Sequence, residues 1–557
     1  MTKKPEASMN MTTNCTPFPS AALSSVRTCV SPQGCFQVGI HRPHFTVDNL
    51  RENDFTACLG QLPAGTPVWN HANFPGTDVR EPAADTIYEI ANPLPFRGTT
   101  FINSAWADPK AGQPEKIGIP RPGTCSLFDS LDTWENDLTA GDKIRLIKAL
   151  PHPLKIALAQ ASTDSEELCA LACHACTLIF DKDAASPAGM GFCPGHSGAP
   201  VPDIRFHDLF EVLVNNPHLP DDYKEAMVLR PGIQGNSEIV GEYTDGNTHV
   251  FEYLRRNSYI PWGHFASNMA HDSIRYRTKD LNPADIRGLR HLYYQRVYTR
   301  LARQLGIRIP QKRTCMPEQT LEDLRLSVMA LLDSGRGPVL DFNGALWGWN
   351  FGFGFAQSGH RLHASHQMIH QQNALVPRQV DDPAHGPLPS FSCGDLVSDF
   401  VKNYETAHGK KFFDAYFDAI RKNCRTDGSS KGENSLIIHE DDHILLFVPK
   451  AQVSEWEIQL VTKDCIPHVP AADTPTRKAL DLGMLKAVQV LEKLGADMVT
   501  GIEFSGRFDE KKMGQHLMYC FIPRLPYAPA AFSEAQLRWI SGVYPEDFAH
   551  ACRSILA

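Results

Sequence analysis

The order of apolar segments after residue 434 constrains the fold more than any other part of the sequence. Two short runs, Ser435–Ile438 and His443–Val448, are followed by a third at Glu455–Val461. A helical pattern over 476–494 then precedes two further strand-like runs, 498–504 and 516–522. Strands clustered around a helix in this way predict an α+β domain with an antiparallel sheet.

Helices and a hairpin are predicted upstream of that domain. Asn282-Pro283 opens a long amphipathic pattern that Gly306 closes, which predicts a helix over 283–305. Asp245-Gly246 is a turn signal inside 237–254 and predicts a β-hairpin there. Further helices are predicted over the following segments: 165–180, 320–332 and 395–423. By contrast, 34–160 is rich in Pro and Gly with short apolar runs, which indicates an irregular, β-containing region.

Length and composition bound the class of protein. A chain of 557 residues predicts two to four domains, and 42% hydrophobic with 21% charged residues is typical of a soluble globular protein. The net charge of −9 argues against a broad nucleic-acid or anionic-membrane surface. No run reaches the ~20 apolar residues that span a bilayer.

The N-terminus and the cysteines indicate the compartment. Residues 1–33 are rich in Ser, Thr and Pro without an apolar signal core, so we expect a flexible tail. The 15 cysteines are odd in number and scattered. Both observations favour a reducing cytoplasm and mostly free thiols.

The run 365–372 carries the chemistry. Side chains alternate faces along a β-strand, so His366, Met368, His370 and Gln372 are predicted to line one face. A neutral imidazole can attack a phosphorus atom, and a carboxamide two residues away can donate a hydrogen bond to a phosphate oxygen. The pattern therefore points to phosphate chemistry.

Four segments in order along the chain carry a family resemblance that covers roughly 187–526. Ser365, His370 and Gln372 fall where the signature Ser-x-x-His-Pro-His-x-Gln has its serine, second histidine and glutamine. The other segments are Phe192–Gly195, Phe206–Leu213, and Asp442–Pro449 followed by Trp456-Glu457. Together they resemble the galactose-1-phosphate uridylyltransferase group of the histidine-triad-like superfamily.

The resemblance implies the fold and the domain division. It implies an α+β chain with two histidine-triad-like antiparallel-sheet domains and packed helices, behind an irregular β-containing N-terminal region. The predicted division is a tail at 1–33, an N-terminal region of unknown role at 34–186, a catalytic domain at 187–424 and a second domain at 435–557. Residues 425–434 (RTDGSSKGEN) read as the linker.

The resemblance also implies an activity. It implies a nucleotidyltransferase or phosphorylase acting on a nucleoside-diphosphate sugar or a dinucleoside polyphosphate, with a phosphate or sugar-phosphate acceptor and no cofactor. His370 would be the nucleophile, and Gln372 and Ser365 would hold phosphate oxygens. A homodimer is compatible with it. The alternative is a catalytically silent nucleotide-binding or regulatory protein with the same fold.

Other side chains are candidates for substrate binding. They are Asp208, Asn350, His363, His366, Lys450, His516 and Arg524. A second register, through Asn350, Gly352, Ser358 and His363, would make His363 the nucleophile. We prefer His370 because Ser365, His370 and Gln372 match together.

Metal binding is expected to be absent at the family's zinc position. Met190 and Met368 stand where metal-binding relatives have a Cys and a His, beside Cys193, and thioether sulfur is a poor zinc ligand. A substitute site from Cys193, His196, His264 and His271 stays open. The spacing Cys169-x3-Cys173-x2-Cys176 matches an iron–sulfur motif but lies inside a helical pattern, which favours buried thiols.

Overall fold

The protein was analysed as a computed structural model. It describes the following residues: 26–42, 45–47, 54–70, 78–81, 84–120, 123–134, 138–182, 184–194, 200–216, 218–224, 226–227, 238–242, 251–254, 281–309, 316–352, 370–430, 432–496, 498–510, 514–525 and 531–557.

The N-terminal part contains short strands followed by helices. The strands are β1 Gly39–His41, β2 Phe45–Val47, β3 Cys58–Gln61, β4 Pro67–Trp69, β5 Val79–Glu81, β6 Ile87–Ala91 and β7 Thr99–Asn103. The helices are α1 Ser104–Ala107, α2 Leu127–Trp134, α3 Ala140–Ala149, α4 His152–Ala161 and α5 Ser165–Ala175. The expectation of an irregular β region therefore holds only up to residue 103. The region after it is mainly helical, with Thr139 and Asp142 forming a capping box at the start of α3.

The middle part alternates small hairpins with long helices. The strands are β8 Leu178–Phe180, β9 Pro187–Met190, β10 Phe192–Pro194, β11 Pro200–Pro202, β12 Glu238–Glu242, β13 Phe251–Leu254, β14 Phe342–Gly352, β15 His370–Pro377, β16 Gln379–Asp382 and β17 Gly386–Pro389. The helices are α6 His207–Asn215, α7 Asp221–Lys224, α8 Pro283–Gln304, α9 Glu318–Ser334, α10 Cys393–His408 and α11 Phe412–Arg421.

The C-terminal part follows the predicted order closely. The strands are β18 Ile437–Glu440, β19 Ile444–Phe447, β20 Ile458–Thr462, β21 Met498–Phe504, β22 Met518–Pro523 and β23 Arg538–Ser541. The helices are α12 Thr474–Lys493, α13 Ala531–Gln536 and α14 Pro545–Leu556.

Most predicted helices and the hairpin are confirmed, with two differences at helix ends. The helix expected over 165–180 stops at Ala175, because residues 178–180 pair with β9 instead. The helix expected over 395–423 is two helices, since Gly409 takes a left-handed conformation (φ 65°) that ends α10. The α8 start is as predicted, with Asn282 capping the helix and Pro283 in its first turn.

A seven-stranded antiparallel sheet organises the chain, with strand order β15-β14-β21-β22-β20-β19-β18. The combination of this sheet with the helices confirms the α+β class. Strands β14 and β15 come from the first predicted domain and the other five from the second, so one sheet takes strands from both.

Each face of the sheet is covered by a different set of helices. Leu446, Leu460 and Tyr519 belong to the hydrophobic core formed with α8 and α12, on what we call the α8/α12 face. Phe447, Val461, Met518 and Cys520 belong to the core formed with α10, α11 and the N-terminal part, on the α10/α11 face. The alternation of buried residues along each strand is what divides the two cores.

The segment predicted as a linker is anchored at its start. Arg425 is buried and its guanidinium donates to both carboxylate oxygens of Asp547, at 2.9 Å each. Its Nε also donates to Asp427 at 3.1 Å. The described residues after Asp427 in this segment are exposed, so the contact with α14 fixes only its start. No helix among the described residues is long and apolar enough to cross a membrane.

Candidate functional site

The pairing of β14 with β15 brings two candidate residues opposite each other. Asn350 pairs with His370, and Gly348 pairs with Gln372. Trp347 and Trp349 belong to the core on the α8/α12 face, so positions 348 and 350 lie on the α10/α11 face. Positions on paired antiparallel strands that lie opposite each other share a face, so these four positions form a block on the α10/α11 face.

Several of the predicted site residues lie outside the described part of the chain. They are His363, Ser365, His366 and Met368. The predicted strand over 365–372 is therefore seen only from His370 onward, where β15 begins. Its pairing brings Asn350 to His370 even though nineteen residues separate them in sequence.

The same block continues onto β21. Thr500 pairs with Asn350, and Ile502 pairs with Gly348. Among the described residues, a Cβ added to Gly348 would meet only the carbonyl oxygen of Gly501, at 3.8 Å. A glycine inside a strand is typical of a position where a ligand or another backbone approaches closely.

We call this block the β14–β15 patch. It consists of Leu346, Gly348, Asn350, His370, Gln372, Ala374, Thr500 and Ile502. Leu346 and Ala374 are exposed, and Gly348, Thr500 and Ile502 are half-buried.

Arg97 stands beside the patch where the sheet becomes covered. It ends a 3₁₀ turn at Pro95–Arg97, between β6 and β7 of the N-terminal part. Its Nη1 donates to the Glu457 Oε1 at 2.7 Å and to the Cys520 Sγ at 2.9 Å. The guanidinium also lies over the ring of Phe504, 5.5 Å from its centroid.

Segment 92–101 docks onto the β20 side of the sheet through further bonds. The Asn92 Nδ2 donates to the carbonyl of Ala451 at 3.2 Å, and the Thr100 Oγ1 donates to the carbonyl of Gln452 at 2.7 Å. These contacts fix the N-terminal part to the α10/α11 face. They also hold Arg97 in place.

On the opposite face, a buried charged cluster supports β14 and β21. The Arg290 guanidinium of α8 donates to the hydroxyls of Tyr294 at 3.1 Å and Tyr519 at 2.8 Å. It lies 3.5 Å from the Asp481 Oδ1 and 3.7 Å from the Glu503 Oε2, and stacks on Trp347. This cluster joins α8 and α12 to the strands that carry the patch.

Burial shifts the pKa values of the two carboxyls in that cluster. Burial raises the pKa of Asp481 to about 7, against the opposing effect of Arg290. Burial likewise raises the pKa of Glu503, although Arg290 and the hydroxyls of Tyr519 and Tyr293 favour its charged form. Glu503 lies on the face opposite the patch, as its bonds to Tyr293 (2.8 Å) and Tyr519 (2.5 Å) require.

Lys450 lies in a buried polar cluster beside α14. Its Nζ donates to the Glu546 Oε1 at 2.5 Å, the Asn423 Oδ1 at 2.9 Å and the Cys424 carbonyl at 2.8 Å. Three acceptors use the three donors of an ammonium group. These bonds leave Lys450 no donor for a phosphate as the chain is folded here.

His516 is a buried histidine held by a carbonyl. Its Nδ1 lies 2.7 Å from the Thr462 carbonyl, and its ring packs on Phe413 and Phe417. Burial lowers its pKa. The arrangement is that of a neutral histidine whose Nδ1 donates to the backbone.

Arg524 lies at the His370 end of the sheet. It follows β22, and its backbone N–H donates to the carbonyl of Met498 at 2.8 Å. Met498 in turn pairs with Gly352 at the end of β14. Arg524 is exposed, so its side chain is available at the end of the patch that carries Asn350 and His370.

Asp208 lies away from the patch. It is exposed in the first turn of α6, where its Oδ2 is 2.8 Å from the His152 Nε2. That hydrogen bond lowers the Asp208 pKa, against the raising effect of partial burial, which is the larger single influence. The neighbouring Leu209 and Phe210 pack into the core on the α8/α12 side, so α6 belongs to the other layer.

The metal candidates are only partly described. Met190 is buried and Cys193 is exposed, whereas His196, His264 and His271 lie outside the described residues. Within the described ranges, no group of three or more His, Cys, Asp or Glu side chains is placed to hold a metal ion.

The three cysteines with iron–sulfur spacing lie in and just after α5. Cys176 is fully buried and its Sγ donates to the Ala172 carbonyl at 3.5 Å. Burial raises the pKa of Cys169 to about 12 and that of Cys176 to about 12. Neutral thiols in these positions act as small hydrophobic groups.

Two residues in or beside the patch were not predicted from the sequence. Arg97 lies in a Pro-rich segment whose sequence offers no functional signal. Gly348 stands between two tryptophans, and a glycine inside a strand pattern is a signal of close backbone approach that was available. Only the register shows that Gly348 lies beside Gln372.

Comparison with solved structures gives a distant likeness. A GalT-like protein from Arabidopsis thaliana is 18% identical with a TM-score of 0.32, over 50% of this chain and 70% of that chain. An ADP-glucose phosphorylase from Arabidopsis thaliana with bound ADP-glucose is 18% identical with a TM-score of 0.32, over 50% and 68%. A uridylyltransferase structure is 13% identical with a TM-score of 0.30, over 43% and 69%.

The resemblance to the galactose-1-phosphate uridylyltransferase group is thereby confirmed as a resemblance. At these TM-scores it carries no argument about the activity of this chain. No protein-family model and no curated protein matches the sequence.

Proposed function

We propose that this chain is a nucleotidyltransferase or phosphorylase that acts through a nucleotidyl-histidine at His370. The observation that carries the proposal is the register of β14 and β15, which sets Asn350 opposite His370 and Gly348 opposite Gln372. An imidazole, two carboxamides and a glycine are a suitable set for binding and attacking a phosphate.

The reaction has two displacements. A neutral His370 ring nitrogen attacks the α-phosphorus, a P–N bond forms, and the P–O bond to the leaving phosphate breaks with its electron pair on oxygen. An oxygen of the acceptor phosphate then attacks the same phosphorus, and the P–N bond breaks to return the imidazole. Gln372 and Ser365 donate hydrogen bonds to the non-bridging oxygens in both steps.

The substrate class is the one that the sequence resemblance implies. For this chain we propose a nucleoside-diphosphate sugar or a dinucleoside polyphosphate, with a phosphate or sugar-phosphate acceptor. Arg524 is the proposed phosphate contact at the His370 end, because its side chain is exposed there.

The proposed domain division places the active site in 187–424 and a second histidine-triad-like domain in 435–557. The two would meet where β14 pairs with β21, so that Thr500 and Ile502 of the second domain complete the patch. A cytoplasmic homodimer remains the accompanying prediction of the sequence.

Labelling tests the proposal directly. The protein is incubated with nucleotides and nucleotide sugars labelled at the α-phosphate, then treated with acid or base. A phosphohistidine-type bond gives a label that is lost in acid and stable in base. We expect it in the native chain and not in His370→Ala.

His363→Ala is the matched control, because His363 is the nucleophile of the other register. Label retained in His363→Ala and lost in His370→Ala supports the preferred register, and the reverse pattern transfers the role to His363. Absence of label with every nucleotide, despite measurable binding, contradicts the enzyme and supports a silent nucleotide-binding protein.

A further inference from the structure

Arg97 is a buried cation with unused hydrogen-bond donors. Its side chain is 8% exposed. Only Nη1 has acceptors among the described residues, namely Glu457 and Cys520. No described residue accepts a hydrogen bond from its Nε or Nη2. A guanidinium carries five N–H groups, so Nε and Nη2 can donate hydrogen bonds to a ligand while Nη1 holds Glu457 and Cys520.

The position of Arg97 is held by a preorganised partner. Glu457 is fully buried and also accepts from the Val453 N–H and the Gln459 Nε2, at 2.8 Å each. The preceding residue, Trp456, takes a left-handed backbone conformation (φ 71°) that is rare for a side chain of this size. Glu457 therefore acts as a fixed anchor that orients the guanidinium.

Arg97 also borders the β14–β15 patch. Cys520, which it contacts, pairs with Ile502, and Ile502 pairs with Gly348, which pairs with Gln372. Phe504, under the guanidinium, lies on β21, and β21 is two strand spacings, about 10 Å, from β15. One row of paired positions across four adjacent strands thus runs from Cys520, which Arg97 contacts, to Gln372.

We propose that Arg97 binds phosphate oxygens of the ligand that occupies the patch, through its Nε and Nη2 edge. The N-terminal region, for which the sequence suggested no role, then supplies one wall of the site. The ligand class is a diphosphate or longer phosphate chain, because a guanidinium edge binds two phosphate oxygens side by side. This inference rests on the proposed function for the location of the ligand, but it does not need His370 to react.

Binding of inorganic pyrophosphate tests the inference separately from catalysis. Its affinity is measured by calorimetry at fixed ionic strength for the native chain, Arg97→Gln and Arg97→Lys. We expect at least a tenfold loss of affinity in Arg97→Gln. Arg97→Lys should show an intermediate loss, because it keeps the charge opposite Glu457 but not the two-donor edge.

Arg507→Gln is the matched control. Arg507 is buried on the same face, but Asp395, Asn343 and Ser390 already accept from its donors. We expect Arg507→Gln to leave pyrophosphate affinity unchanged. If circular dichroism shows that Arg97→Gln does not fold, the pyrophosphate affinity of Arg97→Lys tests the role of Arg97 instead.

Two results would overturn the role of Arg97. One is native affinity in a folded Arg97 variant, and the other is no pyrophosphate binding by the native chain. Either can occur together with labelling of His370, so failure here is distinguishable from failure of the proposed function.

Discussion

Asn350 of β14 lies directly opposite His370 of β15, and the same register sets Gly348 opposite Gln372. Cross-strand neighbours of this kind hold their Cβ atoms about 5 Å apart, so a change at one position is felt at the other. The relationship makes a sheet pairing, rather than a loop, the part of the molecule that positions the proposed nucleophile. The following predictions test the patch and the structure beneath it.

Gly348→Val should weaken ligand binding without unfolding the protein. Among the described residues, the nearest neighbour of the added Cβ is a backbone oxygen at 3.8 Å, so the larger side chain would project into the proposed ligand site. We expect nucleotide affinity to fall at least about tenfold, or 1.4 kcal/mol. The melting temperature should change little.

Gly501→Val is the control for that substitution, because Gly501 lies on the adjacent strand but faces the other side. A Cβ there meets the Phe521 ring at 3.3 Å. We expect Gly501→Val to be less stable than the native chain but to bind nucleotide with normal affinity, because its side chain does not enter the patch. Normal nucleotide affinity in Gly348→Val would show that the ligand binds elsewhere.

Arg290→Met should strongly destabilise the fold. Removal of the guanidinium leaves the buried carboxyls of Glu503 and Asp481 without their cation, and breaking a buried charge network from one side costs about 3–5 kcal/mol. Urea unfolding measures the loss. Arg145→Ala, which removes an exposed pair with Asp142, should cost far less, because water screens that pair. If Arg290→Met lowers the free energy of unfolding no more than Arg145→Ala does, the buried charged cluster does not stabilise the fold as we predict.

Asp481→Asn should change how stability depends on pH. The folded pKa of Asp481 is raised to about 7, above about 3.9 in the unfolded chain, so the folded state holds the proton more tightly. The stability from this group is fully present below pH ~4 and is lost as pH rises to ~7, by up to about 4 kcal/mol. Asparagine does not ionise, so the Asp481→Asn variant lacks this contribution to the pH dependence.

Urea unfolding of both proteins at several pH values measures this effect. The native chain should lose stability relative to Asp481→Asn between pH ~4 and ~7, and the difference should be constant above that range. A difference that does not vary with pH would show that Asp481 titrates normally.

His516→Phe should lower stability and leave turnover unchanged. The substitution keeps the aromatic packing on Phe413 and Phe417 but removes the hydrogen bond to the Thr462 carbonyl. A buried acceptor that loses its partner costs about 1–3 kcal/mol. A raised KM at unchanged stability would instead support the contact with substrate that the resemblance implies for His516.

The local elements were predictable because their signals are local. The start of α8 follows from Asn282 and Pro283, and β21 follows from an apolar run whose bounds, Met498–Phe504, match the prediction. Capping and periodicity act over a few residues, so one segment contains all the information needed. The α+β class followed from the order of such segments.

The placement of the candidate residues was less predictable. Lys450 and Arg524 are equivalent as sequence signals, yet one is buried among three acceptors and the other is exposed at the end of the patch. The choice depends on what packs around each residue, and for Lys450 that partner is Glu546, 96 residues away.

The sequence by itself determined the helices, the antiparallel strands and the group of residues suited to phosphate chemistry. Only the tertiary structure decided that Asn350 lies opposite His370, that Gly348 lies opposite Gln372, and that Arg97 reaches Cys520 across 423 residues of sequence. The physical reason is the distance along the chain over which each feature is determined. The periodicity of a helix or strand is encoded within one segment. Register, burial and the partners of a buried charge are set by distant segments that come together only when the sheet and its helices pack.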